Sequence, residues 1–370
     1  MTGALVSEGS GGGRHLDVLI PSYNRPAKLH HILKTGLALA IPGVSFVVMD
    51  DGSTAMEDVP GLGWVTTERV CASFADKRVV YLQNPENAGP TVSLQRYYRG
   101  HCSCRYTMLV NDKDEFISRE PIVSALRKLD ADPKLSMVMI PLRQIDRTAD
   151  DRPLPFSYPR MSGKDFLAQY VEDPALQHAG MYGVIRVDAV RQTGVPRPLN
   201  LRQFGLEDAF GIDIDFLFMI ATTGDFEFES EAHVRRSVVD GATERFPLTF
   251  AYSYYQYAKR AMRELRARGF VSRRTVRRYI GLWILLIDRG LVVAHRPVHG
   301  TELERGTERI RPHLPLPILL YLPLECLRFA IWPTREMIAL YKTATTIMIG
   351  DRIGRWRRAA KPERRSDAER

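Results

Sequence analysis

Short apolar runs alternate with helix-compatible stretches through the first 120 residues. The runs are His15–Ile20, Val44–Met49, Arg78–Leu82 and Tyr106–Val110, each five or six residues long. Between them, residues Ala27–Ala40 and Pro90–Arg99 are compatible with helices. Strands alternating with helices imply a parallel sheet joined by crossover helices, an α/β architecture. In such sheets ligands bind beyond the carboxyl ends of the strands. Each run ends in a polar cluster at that edge. Pro21-Ser22-Tyr23-Asn24-Arg25-Pro26 follows the first, Asp50-Asp51-Gly52-Ser53 the second, Asn84-Pro85-Glu86-Asn87-Ala88-Gly89-Pro90 the third, and Asn111-Asp112-Lys113-Asp114-Glu115 the fourth.

The fourth cluster carries the most chemistry. Two carboxylates two positions apart at the end of a buried strand are costly unless something compensates them, and a divalent cation bearing a phosphate is the usual compensator. Oxygen ligands of this kind suit magnesium or manganese rather than zinc. The plain alternative is a solvated acidic turn. Four polar clusters along one sheet edge favour a nucleotide site over four unrelated loops. Alternation along an extended segment turns Lys113 away from the two carboxylates, toward solvent.

At these positions the chain resembles the family-2 glycosyltransferases of the GT-A fold. The resemblance rests on Leu19-Ile20-Pro21-Ser22-Tyr23-Asn24-Arg25, the Asp50-Asp51-Gly52-Ser53 turn, Asn87-Ala88-Gly89 and Asp112-Lys113-Asp114. It covers residues 15–240 and is most specific over the first 120. It implies a Rossmann-like mixed sheet flanked by helices, and transfer of a sugar from a nucleotide diphosphate sugar to an acceptor hydroxyl with inversion. By position, Pro21 and Tyr23 would border the base and Asp51 would accept from it. Arg25, Asn87, Gly89 and Asp112 would complete the donor site. Asp112 and Asp114 would form the pair that holds Mg2+ or Mn2+ against the diphosphate. Sugar transfer passes through an oxocarbenium-like transition state as the nucleotide leaves. A metal at Asp114 would offset charge on that leaving group.

Inversion also requires a base for the acceptor hydroxyl. The candidates lie in Gly205–Asp215. Glu207-Asp208 matches the family's acidic pair by residue type. Asp213 fits better by distance to the helix end at Thr222-Thr223-Gly224, so Asp208 and Asp213 both stand as catalytic candidates. Acids in a first helical turn also suit the helix dipole with no catalytic role. The chain departs from the family pattern at two places. Leu94-Gln95, with Arg96 just beyond, replaces an Arg-Asn pair. Asp240 stands where a phosphate-side His is usual, while His233 comes seven residues earlier. Arg235 or Arg236 is suited to clamp a phosphate, or the two form an exposed basic pair.

Composition bounds the rest. A chain of 370 residues holds one large domain plus an appendage. The four cysteines give no metal or disulfide framework, and residues 1–13 are Gly/Ser-rich with no apolar stretch; both fit a cytoplasmic protein with reduced thiols. Charge is split unevenly. Residues 1–258 carry 27 Lys and Arg against 32 Asp and Glu, and residues 259–370 carry 25 against 11. Apolar residues recur at Met337, Leu340, Tyr341, Ala344, Ile347 and Met348, one face of a helix. Arg352-Ile353-Gly354-Arg355-Trp356-Arg357-Arg358 follows at once. No apolar run is long enough to span a bilayer. An amphipathic helix capped by Arg and Trp suits an anionic membrane surface; the alternative is a helix packed on the body. No nucleic-acid fold signature accompanies the basic tail. The organisation expected is a disordered tail at 1–13, a GT-A catalytic domain at 14–250, a helical amphipathic extension at 251–351 and a basic tail at 352–370. Tyr252, Tyr254, Tyr255 and Tyr257 form either a packing seam or a sugar platform.

The expected function is therefore an inverting glycosyltransferase on the inner face of the cell membrane. Its acceptor would be a lipid-linked glycan or a cell-surface polysaccharide precursor. The competing readings are a sugar nucleotidyltransferase, a phosphatase using the Asp-x-Asp pair, and an inactive nucleotide-sugar-binding module. A nucleotidyltransferase would have a Gly-rich basic loop after the first strand, where Pro-Ser-Tyr-Asn stands. A phosphatase motif would open the domain, whereas three strands precede this one.

Overall fold

The first strand, β1 (Leu16–Ser22), is buried along almost its whole length because neighbours cover both of its faces. It pairs in parallel with β2 (Val44–Asp50) on one side and with β6 (Tyr106–Leu109) on the other. In a computed structural model, residues 15–145, 151–153, 158–173, 176, 181–197, 212–237, 247–276 and 279–280 are described. All belong to one unit that ends at Ile280. The amino-terminal segment 1–13, Glu207, Asp208, Asp240, the greater part of the expected extension and the basic tail lie outside them.

Beyond β2 the sheet continues in parallel to β5 (Val79–Gln83). Beyond β6 it passes through β11 (Gly183–Arg186), β8 (Leu135–Met139) and β12 (Asp225–Phe228), giving the order β12-β8-β11-β6-β1-β2-β5. Only β11 runs antiparallel to its neighbours. The crossovers pack on both faces as the apolar spacing demands. Leu16, Val18 and Ile20 join Leu29, Ile32 and Leu33 of helix α1 (Pro26–Ala38) on one face. Leu19, Val47 and Met49 meet Leu94 and Tyr97 of helix α3 (Pro90–Gly100) on the other. Each fully buried aliphatic side chain here is worth about 1.5–3 kcal/mol. Asp17 lies buried within this layer, and the Tyr97 hydroxyl donates to it at 2.7 Å.

Two smaller sheets flank the site edge. A hairpin of β3 (Glu57–Val59) and β4 (Gly63–Val65) follows the Asp50-Asp51 turn and leads into helix α2 (Thr67–Ser73). A four-stranded sheet has the order β10-β9-β13-β7, with β7 (Asp114–Phe116), β9 (Leu142–Ile145), β10 (Asp151–Pro153) and β13 (Val234–Ser237). The acidic cluster thus bridges two sheets: Leu109 ends β6 in the first, and Asp114 starts β7 in the second. Helices α4 (Glu120–Ala131), α5 (Gly163–Glu172) and α6 (Val187–Thr193) cover the far half. Helix α7 (Ile212–Ile220) begins with Asp213 and Asp215 in its first turn. The long helix α8 (Pro247–Ala267) lies against it. Tyr255 and Tyr257 of α8 are buried, whereas the side chains of Tyr252 and Tyr254 lie outside the described set. Among the described residues no helix is long and apolar enough to cross a membrane.

Candidate active site at the carboxyl edge of the sheet

Parallel pairing of β1, β2, β5 and β6 brings their carboxyl ends to one edge. Two loops there are tied together by carboxylates. Asp50 accepts from the Tyr81 hydroxyl at 2.5 Å, from the Ser53 backbone at 3.0 Å and from the Ser53 hydroxyl. The Ser53 hydroxyl in turn accepts from the Asn24 backbone at 2.8 Å, and Asn24 Oδ1 accepts from the backbones of Thr54 and Ala55, each at 2.9 Å. Asn24 has φ +55°, the left-handed region that Asn tolerates better than most residues. The β1 loop is therefore clamped onto the Asp50-Asp51 turn, leaving Tyr23 44% exposed at the rim.

Asp51 is buried and engaged on both oxygens. Oδ1 accepts from Asn84 Nδ2 at 2.8 Å and from the Ala88 backbone at 2.9 Å, and Oδ2 accepts from the Gly89 backbone at 2.7 Å. Its carboxylate shapes the 84–89 loop through both oxygens. Two glycines permit this. Gly52 has φ +74°, and a Cβ there would come within 2.7 Å of the Glu86 backbone. Gly89 has φ +88° and sits at the start of α3, directly before Pro90. Asn87 is exposed at the loop tip. Arg96 donates to Asn84 Oδ1 at 2.5 Å, so this basic residue braces the same loop.

The Asp112/Asp114 pair is buried. Burial pushes both pKa values up, opposed at Asp112 first by Arg25 and at Asp114 first by Arg236. Arg25 Nη1 donates to Asp112 Oδ1 at 3.3 Å. Asp114 is held from three sides: Arg236 Nε donates to Oδ1 at 2.9 Å, the Tyr182 hydroxyl to Oδ2 at 2.6 Å, and the Asn111 backbone to Oδ2 at 2.9 Å. Lys113, expected to face solvent, is half-buried, and its pKa is lowered by desolvation and then by Arg25 and Lys28. The neighbouring Glu115 pairs with Arg235 at 2.6 Å. The donor set does not fit a divalent cation as it stands. Both oxygens of Asp114 are taken by protein donors, and among the described residues no group of three His, Cys, Asp or Glu side chains is arranged to hold a metal.

His233 is fully buried between the rings of Phe116 and Tyr182, with Nδ1 against the Pro141 carbonyl at 3.2 Å. Its place is in the core, not on a phosphate. Asp215 is also structural: its buried carboxylate accepts from Arg260 Nε at 2.8 Å and so fastens α7 to α8. Asp213, two positions earlier, is only half-buried. Sequence reasoning missed Tyr182 and the Asp114–Arg236 pairing. Both depend on strand register: β13 runs antiparallel to β7 with Arg236 opposite Asp114.

No family model matches this chain, and no curated protein matches it in sequence. Among solved structures the fold is similar to that of S. aureus TarS, residues 1–349. The TM-score is 0.52 at 13% identity, over 79% of this chain and 77% of that one. The same TarS fragment in complex with UDP-GlcNAc gives a TM-score of 0.51 at 14% identity, over 75% of this chain and 83% of that one. At such identities the likeness establishes the fold: a GT-A-type mixed α/β sheet with flanking helices, as the motifs implied.

Proposed function

We propose that the protein is an inverting glycosyltransferase that uses a nucleotide diphosphate sugar and an acceptor hydroxyl. The observation that carries the reading is the assembly at one sheet edge of the β1 loop, the loop shaped by Asp51, and the Asp112/Asp114 pair with its cations. The TarS fragment of similar fold was solved with UDP-GlcNAc, which supports a nucleotide sugar as donor. In this reading Pro21 and the exposed Tyr23 border the base. Asp51 acts by positioning Asn87 and Gly89, and Asp112 with Arg25 faces the ribose and diphosphate.

The acceptor oxygen attacks the anomeric carbon from the face opposite the leaving diphosphate. The base takes the hydroxyl proton as the new glycosidic bond forms and the bond to the diphosphate breaks. Asp213, half-buried in the first turn of α7, or Asp208 is that base. The basic tail holds the protein on an anionic membrane surface at the cytoplasmic face, where a lipid-linked glycan or polysaccharide precursor would supply the acceptor. Alanine at the base abolishes transfer while donor affinity stays within threefold of wild type, read by product formation and by calorimetry on the same preparation. If both Asp208→Ala and Asp213→Ala retain full transfer, the assignment of the base fails.

A further inference from the structure

Asp114 is the position where the Asp-x-Asp spacing calls for a metal ion, yet its side chain is 0% exposed while that of its partner Arg236 is 30% exposed. The cation, not the carboxylate, is therefore what this position offers to solvent. Arg236 is fixed there by three independent constraints. Strand pairing places it opposite Asp114. Its guanidinium reaches both carboxylate oxygens, at 2.9 and 3.4 Å. Its Cζ stands 4.9 Å from the Tyr182 ring centroid, within cation–π range, and the same Tyr182 donates to Asp114. Tyr182 is in turn held by Asn111 Nδ2 at 2.8 Å. A planar guanidinium with donors to spare suits phosphate oxygens.

The surrounding charge agrees. Arg25, Lys28 and Lys113 act on Asp112, and Arg236 and Lys113 on Asp114, so cations face both carboxylates. Glu115 is matched by Arg235. A metal seeking Asp114 would have to displace a bidentate, stacked guanidinium from a buried carboxylate.

We propose that Arg236, held by Asp114 and Tyr182, is the resident cation of the donor site and neutralises the diphosphate in place of a divalent metal ion. Donor binding then needs no metal, and Asp114 is a positioning residue for Arg236. This rests on the reading of the chain as a nucleotide-sugar transferase.

The test is calorimetric titration of the full chain with UDP, GDP, ADP and CDP in EDTA and again in Mn2+, together with the free-Mn2+ electron paramagnetic resonance signal without nucleotide. The expected result is that the best nucleoside diphosphate binds with less than a tenfold difference between the two conditions, and that the protein alone leaves the free-Mn2+ signal unchanged. Arg236→Met should weaken that binding at least tenfold in EDTA and expose Asp114 to Mn2+, which then lowers the free-ion signal. Wild-type affinity that rises tenfold or more with Mn2+ overturns the inference without any variant and leaves the transferase reading standing. So does an Arg236→Met protein that binds as wild type does in EDTA. Absence of nucleotide binding in both conditions overturns the transferase reading, and this inference with it.

Discussion

Asp51→Ala separates a role in shaping the loop from a role in touching the nucleotide. The carboxylate accepts three short hydrogen bonds, from Asn84 Nδ2 at 2.8 Å, Ala88 N at 2.9 Å and Gly89 N at 2.7 Å. Bonds to a charged acceptor contribute about 1.5–3 kcal/mol each when the donor has no alternative. Asn84 is buried, but it keeps a second partner in Ser93 Oγ at 2.8 Å. The Ala88 and Gly89 backbones are half-buried, so water recovers part of what they lose. The sum is a destabilisation of about 3 kcal/mol, concentrated in one loop. Urea denaturation of wild type and variant gives the total, and amide hydrogen exchange at Ala88 and Gly89 gives the location. A loss under about 1 kcal/mol with unchanged protection at those two amides would refute the assignment, because three buried or half-buried donors cannot lose a carboxylate so cheaply.

Three further outcomes are expected. His233 has its pKa lowered to about 3 by burial, so below pH 6.5 the unfolded chain takes up a proton that the folded one refuses. Stability should fall by about 2 kcal/mol between pH 7 and 5 from this group alone. The buried Asp112, Asp114 and Asp215, with raised pKa values, act in the opposite sense. The difference between wild type and His233→Gln in urea midpoints at the two pH values isolates the histidine, and parallel profiles would contradict its buried neutral state. Arg260→Met leaves the Asp215 carboxylate buried and unpaired between α7 and α8, a cost of about 3–5 kcal/mol in thermal or urea unfolding; a cost below about 1 kcal/mol would mean that other contacts fasten the two helices. Removal of residues 314–370 should abolish sedimentation with anionic vesicles, and a truncated protein that still pellets would remove the tail from the membrane proposal.

The strands that build the site edge were legible because their apolar runs are unbroken. The runs read at 15–20, 44–49, 78–82 and 106–110 lie within two residues of β1, β2, β5 and β6 at either end. The helix-compatible stretches at 27–40 and 90–99 likewise lie within two residues of α1 and α3, which begin at Pro26 and Pro90. The β3–β4 hairpin was not legible: its strands are three residues each, and Pro60-Gly61-Leu62-Gly63 reads as loop alone. The chemistry of the acidic pair was legible only in part. Asp112 and Asp114 stood out by spacing, but what neutralises them is set by contacts across the fold. Arg25 reaches Asp112 across 87 positions, Tyr182 reaches Asp114 across 68, and Arg236 reaches it across 122. No periodicity encodes such pairings; they follow from the order of strands and from the register of β13 on β7. Asp51 stood out at the end of the second run, yet its partners, the Asn84 side chain and the Ala88 and Gly89 backbone amides, lie 33, 37 and 38 positions away and follow from the fold.

The most direct test of the central claim is thermal unfolding of the full chain against UDP, GDP, ADP, CDP, their monophosphates and the matching nucleotide sugars. A ligand bound only by the folded state raises the midpoint by mass action. The account predicts a rise for the diphosphate and sugar nucleotide of one base and a smaller one for its monophosphate. No rise with any nucleotide at millimolar concentration would contradict it.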